Sequence, residues 1–526
     1  MPHHAQPTTP VSDLKLLWLL SVLVTFFLGI HSTPLFDLDE GAFSQATREM
    51  FYRGDFLSTF LNGEPRYDKP ILTYWLQAIS ISLFGPSEFA FRLHSALAGS
   101  LWSLLIVVFT SRITTPRTGY IAGIIMAGAA GVGLIGKAAT ADALLNLFLA
   151  GGLFCLYLYL TETKRHFLIL ATACAGLAFI TKGPFALLML AVVSLLFALW
   201  SGRLQVWLGM FRHPAAWLTF LLIGTPWYIV LYLKEGSGFF ENFLGTHNLG
   251  RFTSAMEGHR GYWWYYLPVV LLIAFPFGLL FLRPLARFRQ LIASDIGKFL
   301  LCWFVFVLIF FSFAATKLPH YMLYGMTPLF ILAALSLEER RGLYLVYLPL
   351  LLLIGLMLAL PTLIEHFLPG IKDPLIASAL ENPQRYFPAS YTLLLLLIGG
   401  LCGYLMFSRR WAYSGRLLVA GLISTYLMSD LLVPVVSNIQ QAPIKAAGLI
   451  AAKYDNPAVM WRLNTPSFSV YSNRVVPNRR PQPGELVLTK AHYLDQLSGY
   501  EILYQSNGIA LALMQAEPSG QDAHAQ

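Results

Sequence analysis

Apolar runs long enough to cross a bilayer recur along most of the chain. They fall near residues 15–32, 88–111, 119–136, 143–160, 167–181, 184–200, 214–233, 263–282, 299–315, 320–336, 343–360, 389–407 and 417–433. A bilayer core takes about 20 apolar residues as a helix, so the pattern predicts about 13 transmembrane helices. Two pairs of runs are parted only by the short turns "TKGP" (Thr181–Pro184) and "TKLPH" (Thr316–His320). Three polar stretches are longer, 34–87, 234–262 and 361–388. Within the first, "GAFSQATREMFYRGDF" puts Phe43, Ala46 and Met50 on one helical face, with Phe51 beside them. "PILTYWLQAISISLF" (Pro70–Phe84) is a second amphipathic run, opened by a proline suited to a first helical turn. Both read as helices lying in the interface.

From about residue 434 the pattern changes. "QAPIKAAGLIAAKY" has helical spacing, and "AVMWRL", "SFSVYS", "ELVLTK", "YEILYQ" and "IALALM" read as short strands between turn residues. The expected organisation is a transmembrane domain over 1–433, with its first external loop at 34–87, followed by a small α/β domain over 434–526. The fold class is thus an α-helical polytopic membrane protein with a small C-terminal extracytoplasmic α/β domain.

Composition agrees with that class. Hydrophobic residues make up 56% of the chain and charged residues 12%, against roughly 25% charged in soluble domains. The four cysteines, Cys155, Cys174, Cys302 and Cys402, all lie in apolar runs, which excludes a disulfide or zinc framework for an external domain. The net charge of +9 has a topological reading. With the N-terminus inside, the inside segments carry Lys15, Arg112, Arg117, Lys164, Arg165, Arg203, Arg212, Arg283, Arg287, Arg289, Lys298, Arg340, Arg341, Arg409, Arg410 and Arg416. Their acids are only Asp13, Glu162, Asp295, Glu338 and Glu339. Basic residues favour the cytoplasmic side, so the charge marks orientation and not a nucleic-acid partner. The first run is short enough for a signal peptide, but no small-residue cleavage pattern follows it, so an uncleaved span is expected.

This orientation sends one set of ionisable residues to the outer face. They are Asp39 and Glu40 in "FDLDEGAF", Asp68 and Lys69 in "RYDKP", Lys137 and Asp142 in "GKAATADALLN", Lys182 in "FITKGP", His247 and Arg251 in "THNLGRF", and Lys317 in "TKLPHY". Singly, each has an ordinary reading as an interfacial anchor, and Asp39 as a cap for the following helix. Together they suit a lipid phosphate, whose anion lies at that depth. Lys and Arg hold phosphate, and a nearby carboxylate kept ionised by those cations can take a proton from an attacking hydroxyl.

The motifs "DLDEGAFSQATREMFYRGDF", "RYDKPILTYWLQ", "ATADALLN", "FITKGP", "RF…HRGYWWYYLPV" and "TKLPHYMLYGMTPL" follow in that order. Over about 34–330 the chain resembles the GT-C membrane glycosyltransferases of the aminoarabinose-transferase and protein O-mannosyltransferase type. The resemblance implies a polyprenyl-phosphate-linked sugar as donor and chemistry at the outer face. It implies that Asp39 is the catalytic base, paired with Glu40, and that Asp142 is the second external aspartate of the catalytic set. It further implies donor-phosphate roles for Lys69, Lys182, Arg251 and Tyr321, to which the charge pattern adds Lys317. Two departures stand out. The aminoarabinose enzymes carry an Arg shortly after the acidic pair, where this chain has Gly41–Phe43, and Glu at the position of Asp68. Some relatives hold a metal near the acid–lysine pair and a loop histidine, here Asp68 and His247. One acid and one histidine are a poor zinc set, so the sequence requires no cofactor.

The expected activity is inverting transfer of a sugar to lipid A, another glycan or a protein at the inner membrane. The alternatives are a flippase for an anionic lipid, and a surface-polysaccharide polymerase or ligase. The orientation is testable. Cysteines placed at Ser467 and Ser498 should label with an impermeant thiol reagent on spheroplasts. Protection of both until the membrane is opened would reverse the topology and move the acidic loop inside.

Overall fold

The structure is a computed structural model that describes residues 9–241, 243, 261–337, 342–371, 374–380, 384, 386–408 and 410–515. The chain starts with α1 (Val11–Phe27), α2 (Asp39–Arg53), α3 (Leu72–Phe84) and α4 (Glu88–Ile113). Next come α5 (Pro116–Ala127), α6 (Ala130–Gly136), α7 (Asp142–Glu162), α8 (Arg165–Lys182) and α9 (Pro184–Trp200). Among the described residues seven helices are long and apolar enough to cross a membrane, and up to ten if each of three bent pairs is one span. The protein is therefore a multi-pass helical membrane protein. Several of the apolar runs are shorter or broken. The run at 119–136 becomes α5 and α6, bent by 71°, and the run at 263–282 becomes part of a pair bent by 120°. Breaks inside apolar surroundings leave backbone donors that need partners. Here the amide of Ala130 donates to the carbonyl of Phe275 at 2.8 Å, so the two breaks satisfy each other.

Small residues set how closely helices approach. Added Cβ atoms would lie 2.7 Å (Gly99) and 2.4 Å (Gly136) from the Phe26 ring. Glycine at both positions lets α4 and α6 close on α1, as membrane helices do when packing replaces the hydrophobic drive.

Two elements beyond the membrane helices shape the site. After α2 the chain makes a hairpin, β1 (Phe60–Leu61) and β2 (Glu64–Pro65), around Asn62 and Gly63, both at positive φ. The Glu49 carboxylate accepts from the amides of Asn62 (2.6 Å) and Gly63 (3.1 Å). That anchor on α2 fixes where Arg66, Asp68 and Lys69 follow. The second element is the C-terminal sheet of β3 (Ala458–Met460), β4 (Leu486–Lys490), β5 (Tyr500–Ser506) and β6 (Ile509–Met514), in the order β3-β4-β6-β5. β3 and β4 are parallel and the other pairs antiparallel. Asn507 and Gly508, with φ of 46° and 73°, turn β5 into β6, the dihedrals a tight hairpin requires. Helix Ala442–Ala451 covers one face of the sheet, packing Ile444, Ala447 and Ala451 with Leu486, Leu488 and Leu511.

One predicted strand is absent. "SFSVYS" lies in a helix, Pro466–Ser472. Proline at the first helical position starts it, and Phe468 on it fills the same core as Ile444 and Leu488. Ser467 is fully buried, so exposed Ser498 is the position where an introduced cysteine reports the side of the membrane.

Candidate active site

The acidic loop is built around Glu40. Its Oε1 accepts from Arg92 Nε (2.8 Å) and the amide of Ala139 (2.7 Å), and its Oε2 from Arg92 Nη2 (2.7 Å) and the amide of Phe36 (2.8 Å). Arg92, on α4, also donates to the carbonyls of Ile30 (3.0 Å), Thr33 (2.8 Å) and Pro34 (2.9 Å). Both side chains are buried. The Glu40 oxygens are thus fully engaged, and the residue positions the loop. The result is to present Asp39, the first residue of α2, toward open space.

Asp37 does a second structural job. It accepts from the Ser467 amide (2.9 Å) and hydroxyl (2.5 Å), tying the loop to the C-terminal domain. Burial pushes its carboxyl up to about 7, against the pull of the two Ser467 hydrogen bonds. Gly41 sits in this junction. A Cβ there would lie 2.2 Å from Asp37 Oδ1 and 2.6 Å from the Ser467 amide nitrogen, so close approach of the domain requires glycine.

Asp39 opens onto a cavity of about 350 Å³. Its wall takes Ala42 and Phe43 from α2, then Arg66, Asp68 and Lys69, Asp142 at the start of α7, and Lys182 at the end of α8. His320 and Tyr321 complete it from the turn Pro319–Gly325, with Asn464 and Pro466 from the C-terminal domain. Local structure explains the placements. Lys182 ends α8, where a cation faces the negative end of the helix dipole, and Gly183 (φ +84°) lets Pro184 begin α9 at once.

The charges pair. Asp68 meets Lys69 Nζ at 2.7 Å and Arg66 Nη2 at 3.1 Å. Asp142 meets Lys182 Nζ at 2.6 Å and accepts from Tyr324 at 2.5 Å. Lys182 also donates to the Tyr324 hydroxyl (2.6 Å) and lies 5.6 Å from the Tyr321 ring. Asp39 has no hydrogen bond or ion pair among the described residues, which leaves both its oxygens available to an incoming hydroxyl.

Other expected residues lie elsewhere. Lys317 is buried and donates to the carbonyls of Ser312 (2.8 Å) and Ala314 (3.0 Å). It closes the end of helix Asp295–Phe313 and does not line the cavity, a correction to its expected phosphate role. Lys137 pairs with Asp430 at 3.7 Å in a second cavity of about 350 Å³, behind the acidic loop. Asp39 lines that cavity too, so it stands on the wall between the two. His247 and Arg251 lie outside the described residues. No cluster of three His, Cys, Asp or Glu exists among the described residues. Asp68 meets two cations there. Arg66 and His320 went unassigned from sequence, though both sit inside motifs, "RYDKP" and "TKLPH". Asn464 and Pro466 carry no such signal.

Known proteins resemble this chain in sequence and in fold. A family profile described as dolichyl-phosphate-mannose-protein mannosyltransferase matches residues 68–230. The undecaprenyl phosphate-alpha-4-amino-4-deoxy-L-arabinose arabinosyl transferase of Aeromonas salmonicida is 33% identical over 326 residues, 60% of this chain and 58% of that protein. An uncharacterized protein of Aquifex aeolicus is 31% identical over 328 residues, 62% of this chain and 74% of that protein. The crystal structure of ArnT from Cupriavidus metallidurans bound to undecaprenyl phosphate superposes with a TM-score of 0.82 and 18% identity, covering 97% of this chain and 100% of that one. By sequence and by fold the chain resembles the membrane glycosyltransferases of the aminoarabinose-transferase and protein mannosyltransferase type. The matched region is about three fifths of the length of the first arabinosyl transferases, and the structural likeness establishes the fold.

The division between Glu40 and Asp39 is measurable. Glu40→Ala strands the buried Arg92 guanidinium and should cost about 3–5 kcal/mol of stability. Asp39→Asn should leave thermal unfolding in detergent unchanged. Equal unfolding temperatures for the two variants would contradict the assignment.

Proposed function

We propose that this protein transfers a sugar from a polyprenyl-phosphate donor to a hydroxyl of an envelope acceptor (lipid A, another glycan or a protein) at the outer face of the inner membrane. The observation that carries the reading is a carboxylate, Asp39, that has no partner among the described residues and faces Arg66, Lys69 and Lys182 across one cavity. The relatives named as undecaprenyl-phosphate aminoarabinose transferases support the same donor class. The N-terminus lies in the cytoplasm and the C-terminal domain outside, in agreement with the basic inside segments.

In this mechanism the donor's phosphate enters the cavity that holds Arg66, Lys69 and Lys182, and the acceptor approaches Asp39 from the second. Asp39 takes the hydroxyl proton as the acceptor oxygen attacks the anomeric carbon. The glycosidic bond breaks with its electron pair on the phosphate oxygen, toward Lys69, Lys182 and Arg66. A phosphate leaving group needs no carboxylic acid to protonate it, so one displacement suffices and the anomeric configuration inverts. Asp68 and Asp142 act by holding the cations in place. Ala42, the middle residue of the Gly41–Phe43 departure, lines the cavity, and Asp68 is the other departure. Both therefore bear on which sugar is accepted.

Asp39→Asn should abolish transfer while donor binding survives. Lys69→Ala and Lys182→Ala should each lower single-turnover transfer about 10–1000-fold, more than they weaken donor affinity, because the opposing charge grows as the bond breaks. Purified protein with a polyprenyl-phosphate sugar provides the assay. Normal rates in all three variants would return the cations to interfacial anchors and revive the flippase reading.

A further inference from the structure

The cavity is balanced in charge before any donor enters. Its ionisable wall holds the carboxylates Asp39, Asp68 and Asp142 and the cations Arg66, Lys69 and Lys182. Asp68 already engages Arg66 and Lys69, and Asp142 engages Lys182. A polyprenyl-phosphate sugar is a phosphodiester with one negative charge, and its departing phosphomonoester carries up to two. The transfer therefore creates a charge for which every cation of the described wall already has a partner.

Among the described residues of the wall, His320 is the remaining group able to gain a positive charge in answer to it. Its ring lines the same cavity and packs edge-on to Tyr321 at 4.8 Å. Among the described residues no hydrogen bond reaches its ring nitrogens, and neither nitrogen is buried away from the cavity without a partner. The charged groups around it come from every wall: Asp142 from α7, Lys182 from α8, Asp39 from α2, and Lys69. Arg66, Asp68 and the phenols of Tyr321 and Tyr324 complete the titratable surroundings. Desolvation holds the imidazole below its usual range, while Asp142 and Asp39 pull upward and Lys182 and Lys69 pull downward. The ring is thus mainly neutral near pH 7 in the empty cavity, and an added anion moves it toward protonation.

We propose that His320 contacts the donor phosphate and takes up a proton as the polyprenyl phosphate monoester forms, supplying the positive charge that the ion-paired cations do not. This rests on the transferase reading above. The balance is complete: the acceptor's O–H proton goes to Asp39, the new bond joins acceptor oxygen to anomeric carbon, and the old bond's electron pair goes to phosphate. The His320 proton comes from solvent and is shared with that phosphate.

The test is the affinity of the purified full-length protein for a polyprenyl monophosphate between pH 5.5 and 8.5, for wild type and His320→Gln. The ligand's own titration cancels in the ratio of the two affinities. A charge-assisted contact predicts binding about tenfold weaker in His320→Gln at the acid end, converging with wild type as pH rises through the titration of the ring. His320→Asn, checked for thermal unfolding, serves where the glutamine variant fails to fold. The phosphate-free polyprenol should bind all variants alike. A ratio that stays constant with pH, or no difference at any pH, overturns the role of His320 while leaving Asp39-dependent transfer intact. A wild type that binds polyprenol and polyprenyl phosphate equally at every pH overturns the transferase reading itself.

Discussion

The site depends on one buried ion pair. Glu40 and Arg92 lie where the acidic loop meets α4, and both are shielded from solvent. Burying two charges is unfavourable unless their remaining donors and acceptors are filled. Here they are: two backbone amides complete Glu40, and three backbone carbonyls complete Arg92. Those partners are themselves loop residues, from Ile30 to Phe36 on one side and Ala139 on the other. The pair therefore fixes the chain on both flanks of the cavity at once. Asp39 precedes Glu40 by one residue, so its direction is inherited from the pair.

The C-terminal domain is the second constraint, and it reaches the site through the same loop. Asp37 holds Ser467, Tyr471 accepts from the Leu35 amide (2.7 Å) and donates to Glu88 (3.0 Å), and Lys445 meets Glu88 at 2.5 Å. Arg48 on α2 donates to the carbonyl of Val470 and the side chain of Asn473. These contacts bring Asn464 and Pro466 into the cavity wall. The domain is thus part of the site's construction, which the helix Pro466–Ser472 makes possible.

What the sequence revealed follows from what sequence records. Apolar length marks membrane helices, and basic loops mark orientation, because both act through the solvent and need no partner. The polar motifs flagged Asp39, Lys69, Asp142 and Lys182 because charges among apolar residues are costly wherever they sit. Pairing was not legible. Nothing local separates Glu40, saturated by Arg92 from residue distance 52, from its neighbour Asp39, which is open. Lys317 looked like Lys182 because both stand in short turns, yet one closes a helix end and the other faces the cavity. The strand expected at "SFSVYS" failed for a related reason. Its β-type residues were answering a core formed with Ile444 and Leu488, and alternation over six residues cannot tell that burial from a strand's.

The cavity divides its carboxylates by partner. Asp68 and Asp142 are tethered to cations, and the tether fixes Arg66, Lys69 and Lys182 before any substrate arrives. Fixed cations stabilise a developing charge without reorganising during the reaction, which is where electrostatic catalysis gains most. Both oxygens of Asp68 and the Oδ1 of Asp142 are used in that way. The proposed mechanism assigns the base to a third carboxylate, held by its backbone instead of by a cation. Asp39 meets that requirement, because the ion pair one residue along restrains its backbone and no described residue engages its side chain. Placing the structural charge and the reactive charge on adjacent residues resolves a conflict that a single residue could not.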